Sequence, residues 1–167
     1  DGKTLWVADL GTDEVLVFDI FEKTIQEKIR IKMAPGSGPR HISFNPTLGV
    51  AYVIHELNNT IAVVSTSDYK VVQEISTLPE GFEGKSFCAD IHISPDGKFL
   101  YGSNRYSDTI VCYAVNKNNG QIKLIGFTST GGAVPRNFAI SPDGKFLLVA
   151  NQDSNNIVIF KRDMLTG

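Results

Sequence analysis

The stretch ISPDGKFL at residues 93–100 recurs without change at residues 140–147, which is 47 residues further along the chain. A truncated copy, DGKTL, occupies residues 1–5, and a degenerate copy, NPTLG, occupies residues 45–49. Self-similarity at a period of about 40 to 50 residues is typical of folds that repeat one supersecondary unit. The repeat therefore decides the fold class before any single residue is interpreted.

Each copy follows the same order of segments. A short alternating segment leads into the turn, in which proline fixes φ and glycine accepts the conformations that a tight hairpin demands. An apolar, β-rich run, a polar turn and two further short strands complete the unit. No segment shows the 3.6-residue apolar period of a helix. Four short antiparallel strands per unit predict an all-β fold, a β-propeller built from four-stranded blades.

The length predicts about three and a half blades, because 167 residues are divided into repeats of about 47 residues. We expect one partial propeller domain over residues 1–167, with turns near 1–3, 46–49, 95–98 and 142–145. Propellers close with about 4 to 8 blades. We therefore expect the rest of the ring to come from a longer chain or from a second copy. The chain also starts within a repeat, which predicts that the natural N-terminus lies upstream.

The composition is that of an ordinary soluble globular domain, with 42% apolar and 20% charged residues. The formal net charge of −2 argues against general attraction to nucleic acid or to an anionic membrane. No apolar run approaches the roughly 18 residues of a membrane-spanning helix. The spacing of Cys88 and Cys112 fits neither a CxxC pair nor a zinc site, so we expect two buried, reduced thiols and a cytoplasmic protein.

Aligning the repeats singles out one end of the blades. The start of the innermost strand and the end of the next strand meet there, because the two strands are antiparallel. At the end of the second strand the blades carry different residues: Leu10, Glu56, Arg105 and Gln152, preceded by Asp9, His55, Asn104 and Asn151. At the start of the innermost strand they also differ: Arg40, Ala89 and Arg136, followed by His41, Asp90 and Asn137.

Charged residues that differ between otherwise similar blades predict a site for an asymmetric ligand at the mouth of the channel. Arginines bind carboxylate or phosphate in a bidentate manner, and one carboxylate among them can act as a base. The alternative is structural: charged strand ends are usually solvated, and Arg40 with Glu56 would then be an ordinary ion pair.

Five segments carry a more specific pattern: GPRH at 38–41, HEL at 55–57, ADIH at 89–92, NR at 104–105 and PRN at 135–137. This ordered set resembles the lactonase family of seven-bladed propellers. The resemblance runs along essentially the whole chain and corresponds to the C-terminal half of that propeller. The family includes bacterial 6-phosphogluconolactonases of the propeller type and fungal carboxy-cis,cis-muconate cyclases.

The resemblance implies that Glu56, Arg40 and Arg105 are catalytic residues. Among the other residues at this end we expect five to bind substrate: His41, His55, Asp90, Asn104 and Arg136. The active-site histidine of the family would precede Asp1, and neither His41 nor His92 is assigned to its role. His92 is expected to be a hydrogen-bonded structural histidine.

Lactonase chemistry opens or closes a lactone, so the expected substrate is a small anionic lactone or carboxylate. In hydrolysis, Glu56 deprotonates water while Arg40 and Arg105 hold the anion and stabilise the oxyanion. The same residues suit a lactonizing isomerase of the muconate cyclase type. A non-catalytic propeller scaffold for protein interactions is the alternative from another class. We favour sugar-lactone hydrolysis and expect the 167-residue chain alone to be inactive.

No metal or cofactor is predicted. Asp9, Glu56, Asn104 and Asn151 resemble parts of the oxygen cage that binds calcium in other propellers. The arginines beside them would repel a cation, so we do not expect a metal site there.

Overall fold

A computed structural model describes residues 2–167 of the protein. Within that range the regular elements are fourteen β-strands, and no helix there is long and apolar enough to cross a membrane. The strands are β1 (Thr4–Asp9), β2 (Glu14–Ile20), β3 (Ile25–Lys32), β4 (Pro39–Asn45), β5 (Val50–His55), β6 (Thr60–Ser65), β7 (Val71–Ser76), β8 (Phe87–Ile93), β9 (Phe99–Arg105), β10 (Thr109–Val115), β11 (Ile122–Ser129), β12 (Pro135–Ile140), β13 (Phe146–Asn151) and β14 (Asn156–Lys161).

These strands form four antiparallel sheets in which the strand order follows the chain order. Blade 1 contains β1 to β3, blade 2 contains β4 to β7, blade 3 contains β8 to β11, and blade 4 contains β12 to β14. Two complete blades between two three-stranded ones amount to the predicted three and a half, and the all-β propeller class is confirmed. The predicted turn near residues 1–3 includes Asp1, which lies outside the described residues.

The Pro-Asp-Gly turns join the first two strands of blades 3 and 4. Gly97 and Gly144 have φ values of 69° and 73°, in the left-handed region that glycine adopts without steric cost. Asp96 and Asp143 each accept a hydrogen bond, at 3.1 Å, from the backbone N–H two residues further on. The turn geometry sets the register of the two innermost strands, which explains why the sequence recurs.

A second repeated turn ties neighbouring blades together; it lies between the second and third strands of blades 2, 3 and 4 and between β1 and β2 of blade 1. In every blade it contains a non-glycine residue with φ between 51° and 56°: Asp13, Asn59, Asp108 and Asn155. The Asp13 carboxylate accepts the backbone N–H groups of Gly36 and Gly38 at 2.7 and 2.8 Å. Asp108 accepts the N–H of Val134 at 2.8 Å. Because those N–H groups lie in the loops that enter the next blade, the turns fix where each following inner strand begins.

Apolar side chains between adjacent blades form three clusters, one at each blade interface. The cluster between blades 2 and 3 includes Tyr52, Leu100 and Tyr113, which are fully buried. Each such side chain contributes roughly 1.5–3 kcal/mol on burial, so blade stacking is a main source of stability. Cys88 lies in this cluster and Cys112 in the one between blades 3 and 4, and both are buried free thiols, as predicted.

Candidate active site

The strand register brings two distant places in the sequence together at one end of the blades. The first residue of β4, β8 and β12 pairs with the last residue of β5, β9 and β13. The pairs are Pro39 with His55, Phe87 with Arg105, and Pro135 with Asn151. We call this end of the blades the mouth. It is the end that the repeat alignment singles out.

A β-bulge at the start of each inner strand redirects side chains at the mouth. In β4 the register shifts across Arg40, which has no partner residue in β5. In β12 the shift falls across Arg136, and in β8 it falls across Ala89 and Asp90. A bulge bends the strand and changes the direction of the extra residue. In blades 2 and 4 that residue is an arginine.

The backbone conformation and close packing at position 38 explain why the GPRH motif begins with glycine. The φ of Gly38 is 62°, and an added Cβ would lie 2.7 Å from Cγ of Leu57, which is closer than packed atoms allow. Pro39 follows at the first position of β4, where a residue without an N–H group is tolerated. These backbone constraints place Arg40 at the mouth.

Arg40, Glu56 and Arg105 form one ion cluster across blades 2 and 3. Arg40 Nη1 donates to Glu56 Oε2 at 2.8 Å, and Arg105 Nη2 donates to Glu56 Oε1 at 2.6 Å. Each guanidinium also donates to a backbone carbonyl of β8: Arg40 Nε to Ala89 O at 2.9 Å and Arg105 Nη2 to Cys88 O at 3.1 Å. The three residues proposed as catalytic therefore lie together and hold each other in place.

Glu56 is an ionised carboxylate in this cluster. Burial alone would raise the pKa of Glu56, but the hydrogen bonds and charges of Arg105 and Arg40 outweigh burial, so the pKa lies below its ordinary value. The side chain of Arg105 is 8% exposed, whereas those of Arg40 and Glu56 are 19% and 17% exposed. Arg105 thus lies deepest in the cluster.

A second group of polar side chains, which we call the Asp90 cluster, contains His41, Asp90, His92 and Asn137. Asp90 Oδ1 lies 2.7 Å from His41 Nδ1, and Asp90 Oδ2 lies 3.0 Å from His92 Nε2. Oδ2 also accepts hydrogen bonds from Asn137 Nδ2 at 2.6 Å and from the backbone N–H of Phe138 at 3.3 Å. His41, Asp90 and Asn137 occupy the same position in blades 2, 3 and 4, directly after Arg40, Ala89 and Arg136. The cluster therefore joins three successive blades.

The Asp90 carboxylate is buried and remains ionised. Burial would raise the pKa of Asp90, but the hydrogen bonds from His41 and His92, the charge of His92 and the N–H of Phe138 together hold the pKa far below its usual range. An ionised carboxylate only accepts hydrogen bonds. The nitrogen of each histidine that faces Asp90 therefore carries its proton.

We expect the ionisation of Asp90 to make the free energy of unfolding depend on pH under acidic conditions. Its folded-state pKa is lower than the unfolded value of about 3.9, so its stabilisation is complete above that value and is lost as the pH falls below it. Asp90→Asn is expected to cost about 3 kcal/mol at pH 7, because an amide N–H group then faces the donors of His92 and Asn137. Urea midpoints should show this cost shrinking toward pH 3.

The control for this prediction is Asp153→Asn, because Asp153 is exposed on blade 4. It should leave the urea midpoint nearly unchanged at both pH values. An equal difference between the wild type and Asp90→Asn at pH 7 and pH 3 would contradict the assignment of acid-dependent stability to Asp90.

A cleft of about 420 Å³ opens at the mouth, and we call it the mouth cleft. Its lining contains Arg40 and His41 from blade 2 and polar residues from blade 4: Arg136, Asn137, Asn151, Gln152, Asn155 and Asn156. Arg136 is exposed and donates to the amide oxygen of Gln152 at 3.4 Å. Among residues 2–167, no Asp or Glu lines this cleft. The mouth cleft is therefore suited to an anion.

Contrary to expectation, His55 and Asn104 do not lie at the surface of the mouth, because both are fully buried. His55 Nδ1 lies 2.8 Å from Thr60 Oγ1, and burial lowers the pKa of His55 to about 4. Asn104 Nδ2 donates to the carbonyl of Thr77 at 2.7 Å. Neighbouring residues of a strand point to opposite sides, so the residues before Glu56 and Arg105 point into the blade interfaces.

The hydrogen bonds that link His41, Asp90 and Asn137 were not predicted from the sequence. The signal was available, since the three residues occupy the same position in successive repeats. The expectation that His92 is a hydrogen-bonded histidine is confirmed by its contact with Asp90.

Comparison with known proteins agrees with this architecture. The family model described as "Lactonase, 7-bladed beta-propeller" matches residues 1–167. A 6-phosphogluconolactonase of Formosa agariphila is 45% identical over 172 residues, which cover 98% of this chain and 48% of the relative. A 6-phosphogluconolactonase of Bacillus subtilis is 34% identical over 163 residues, which cover 95% of this chain and 47% of the relative.

Among solved structures, the periplasmic gluconolactonase of Pseudomonas aeruginosa superposes with a TM-score of 0.95 at 36% identity. The match covers all of this chain and 49% of that one. The chain thus spans about half the length of the relatives it matches. Since the family model matches the chain from its first residue to its last, this protein belongs to the lactonase family of seven-bladed β-propellers.

Proposed function

We propose that the whole protein, meaning a chain of the relatives' length that contains these residues, hydrolyses a phosphorylated sugar lactone of the 6-phosphogluconolactone type. The names of the relatives supply the reaction class. The observation that supports phosphate binding is the lining of the mouth cleft, which combines the guanidinium groups of Arg40 and Arg136 without a carboxylate from residues 2–167. A cleft of this charge attracts anions.

Arg136 is the residue best suited to bind the phosphate. Its side chain is exposed, and its recorded hydrogen bond is to a neutral amide rather than to a carboxylate. The planar guanidinium therefore keeps donors for a bidentate contact with phosphate oxygens. We assign Arg136 to substrate selection rather than to the chemical step.

Arg40 is the residue best suited to stabilise the reacting carbonyl. Its Nε and Nη1 atoms are fixed by Ala89 O and Glu56, while Nη2 has no hydrogen-bond partner among residues 2–167. A guanidinium held in advance stabilises negative charge on the carbonyl oxygen of a tetrahedral intermediate without reorganising during the reaction. Arg40 also lines the mouth cleft, so a bound lactone can reach it.

Glu56 acts in this proposal as the shared anchor of the two guanidiniums. Both of its oxygens accept hydrogen bonds from arginine, and its lowered pKa makes it a weak proton acceptor. This revises the expectation that Glu56 is the base. Arg105, which is nearly buried, holds Glu56 from the side of blade 3.

The test is an assay of the whole protein with three compounds: 6-phosphogluconolactone, gluconolactone and carboxymuconate. We expect hydrolysis of both lactones above the uncatalysed rate, with kcat/KM about 10- to 100-fold higher for the phosphorylated one, as expected for a charge-assisted contact. Arg136→Ala should remove this preference and leave gluconolactone hydrolysis unchanged.

Three outcomes would overturn parts of the proposal. If neither lactone is hydrolysed, the hydrolase function is wrong, and a scaffold role gains support. Turnover of carboxymuconate instead would make the protein a lactonizing isomerase. Equal rates for the two lactones would refute phosphate selection. One solved relative is described as periplasmic, so the cytoplasmic location stays a prediction.

A further inference from the structure

The Asp90 cluster has no part in the reaction as described so far, although His41 is next to Arg40 in the chain and shares its cleft. We propose that His41 is the proton acceptor for the attacking water and that Asp90 is its positioning residue. This inference rests on the proposed lactone hydrolysis. It assigns to His41 the role of base, for which Glu56 is poorly suited and which the family resemblance alone left with Glu56 and a histidine that precedes Asp1.

The hydrogen bond to Asp90 determines which nitrogen of His41 is available. Nδ1 lies 2.7 Å from Asp90 Oδ1 and donates to it, because the carboxylate only accepts. In a neutral imidazole the other nitrogen, Nε2, then carries the lone pair. Nε2 has no hydrogen-bond partner among residues 2–167. A carboxylate that orients a histidine in one tautomer is the arrangement that enzymes use to hold a general base.

His41 is also placed where a substrate reaches it. Its side chain is 42% exposed, while that of Asp90 is 4% exposed. His41 and Arg40 both line the mouth cleft and a second cleft of about 410 Å³, whose lining also contains Trp6, Asp90 and His92. A lactone whose carbonyl oxygen contacts Arg40 therefore lies beside His41.

His92 provides the contrast, because it contacts the same carboxylate. Its Nε2 atom is 3.0 Å from Asp90 Oδ2, and its ring packs edge-on against Phe138 with centroids 4.9 Å apart. It does not line the mouth cleft. The side chain of His92 is 43% exposed, nearly the same as that of His41, but it lies in a different place, so His92 is the matched control for His41.

The proposed step is balanced in atoms and charge. The oxygen of water forms a bond to the lactone carbonyl carbon while His41 Nε2 takes one of its protons. The tetrahedral intermediate then breaks the ring C–O bond, and the ring oxygen leaves as a hydroxyl group after taking the proton from His41 Nε2. The products are the hydroxy acid, which ionises to a carboxylate, and neutral His41. No other reactant is required.

The experiment compares the wild type, His41→Gln and His92→Gln in the whole protein, with 6-phosphogluconolactone as substrate. We expect His41→Gln to lower kcat by about 100- to 10,000-fold, with KM and the affinity for the product 6-phosphogluconate within about threefold of wild type. His92→Gln should keep kcat within a few-fold.

The results separate this proposal from the proposed function. An active wild type with nearly normal kcat in His41→Gln would overturn the role of His41 and leave lactone hydrolysis standing. A loss of 6-phosphogluconate affinity as large as the loss of kcat would make His41 a binding residue and also overturn the proposal. A wild type that hydrolyses no lactone would refute both. Circular dichroism of each variant shows that it folds, and the half-exposed position of His41 makes folding the expected result.

Discussion

Arg40→Ala and Glu56→Gln are each expected to lower kcat/KM for 6-phosphogluconolactone by about 100- to 1000-fold in the whole protein, as for the loss of one fixed oxyanion donor. The first change removes the guanidinium that reaches the mouth cleft. The second removes the charge that holds both guanidiniums at 2.6 and 2.8 Å. We expect Arg40→Lys to recover little, because a single ammonium cannot replace both the Nε and Nη1 contacts.

Arg30→Ala is the control for the loss of one arginine charge. Arg30 lies on β3 in blade 1, and its guanidinium pairs with the exposed Glu27 on the same strand. This variant should leave kcat/KM unchanged. Urea midpoints of the two site variants must show that they remain folded at the assay temperature. Nearly wild-type kinetics in a folded Arg40→Ala variant would remove the Arg40, Glu56 and Arg105 cluster from the active site.

The 167-residue chain by itself is expected to turn over the lactone at less than about one hundredth of the rate of the whole protein. The family propeller has seven blades, and among residues 2–167 the mouth cleft is bounded only by residues of blades 2 and 4. A substrate bound there would meet solvent on its remaining side, which weakens electrostatic stabilisation. Specific activity of the two proteins at equal concentration measures the difference.

The same chain should also associate with itself, because its outer sheets expose large apolar side chains. In blade 4, Ile157 and Ile159 are 67% and 62% exposed, and in blade 1, Ile25 is 57% exposed. Large exposed apolar side chains favour association, because association removes them from water. Sedimentation should reveal dimers or larger species. A monomeric chain with the full activity of the whole protein would contradict the need for further blades.

Much of the fold could be predicted from the sequence because one turn repeats. The Pro-Asp-Gly turn has the same geometry at Gly97 and Gly144, so a match in sequence implied a match in structure. Antiparallel pairing then placed Glu56 and Arg105 at the same end as Arg40. The convergence of these three residues followed from topology and needed no knowledge of side-chain packing.

The remaining features depended on local geometry that the repeat does not encode. The bulge at Arg40 changes the phase of the inner strand, and the alternation along the second strand turns His55 and Asn104 inward. Arg162, which directly follows β14, is likewise buried, and it donates to Tyr101 and to the Asp96 turn in the adjacent blade. The position of His55 and Asn104 at the ends of strands predicted that they face the mouth, but packing between the blades buries both.

The most direct test is a crystal structure of the whole protein with 6-phosphogluconate bound. We expect the phosphate within about 3 Å of the Arg136 guanidinium and the carboxylate beside Arg40 and Nε2 of His41. If the product lay at the opposite end of the blades, or if the mouth cleft stayed empty at saturating product, then the side chains of successive blades would not form one site.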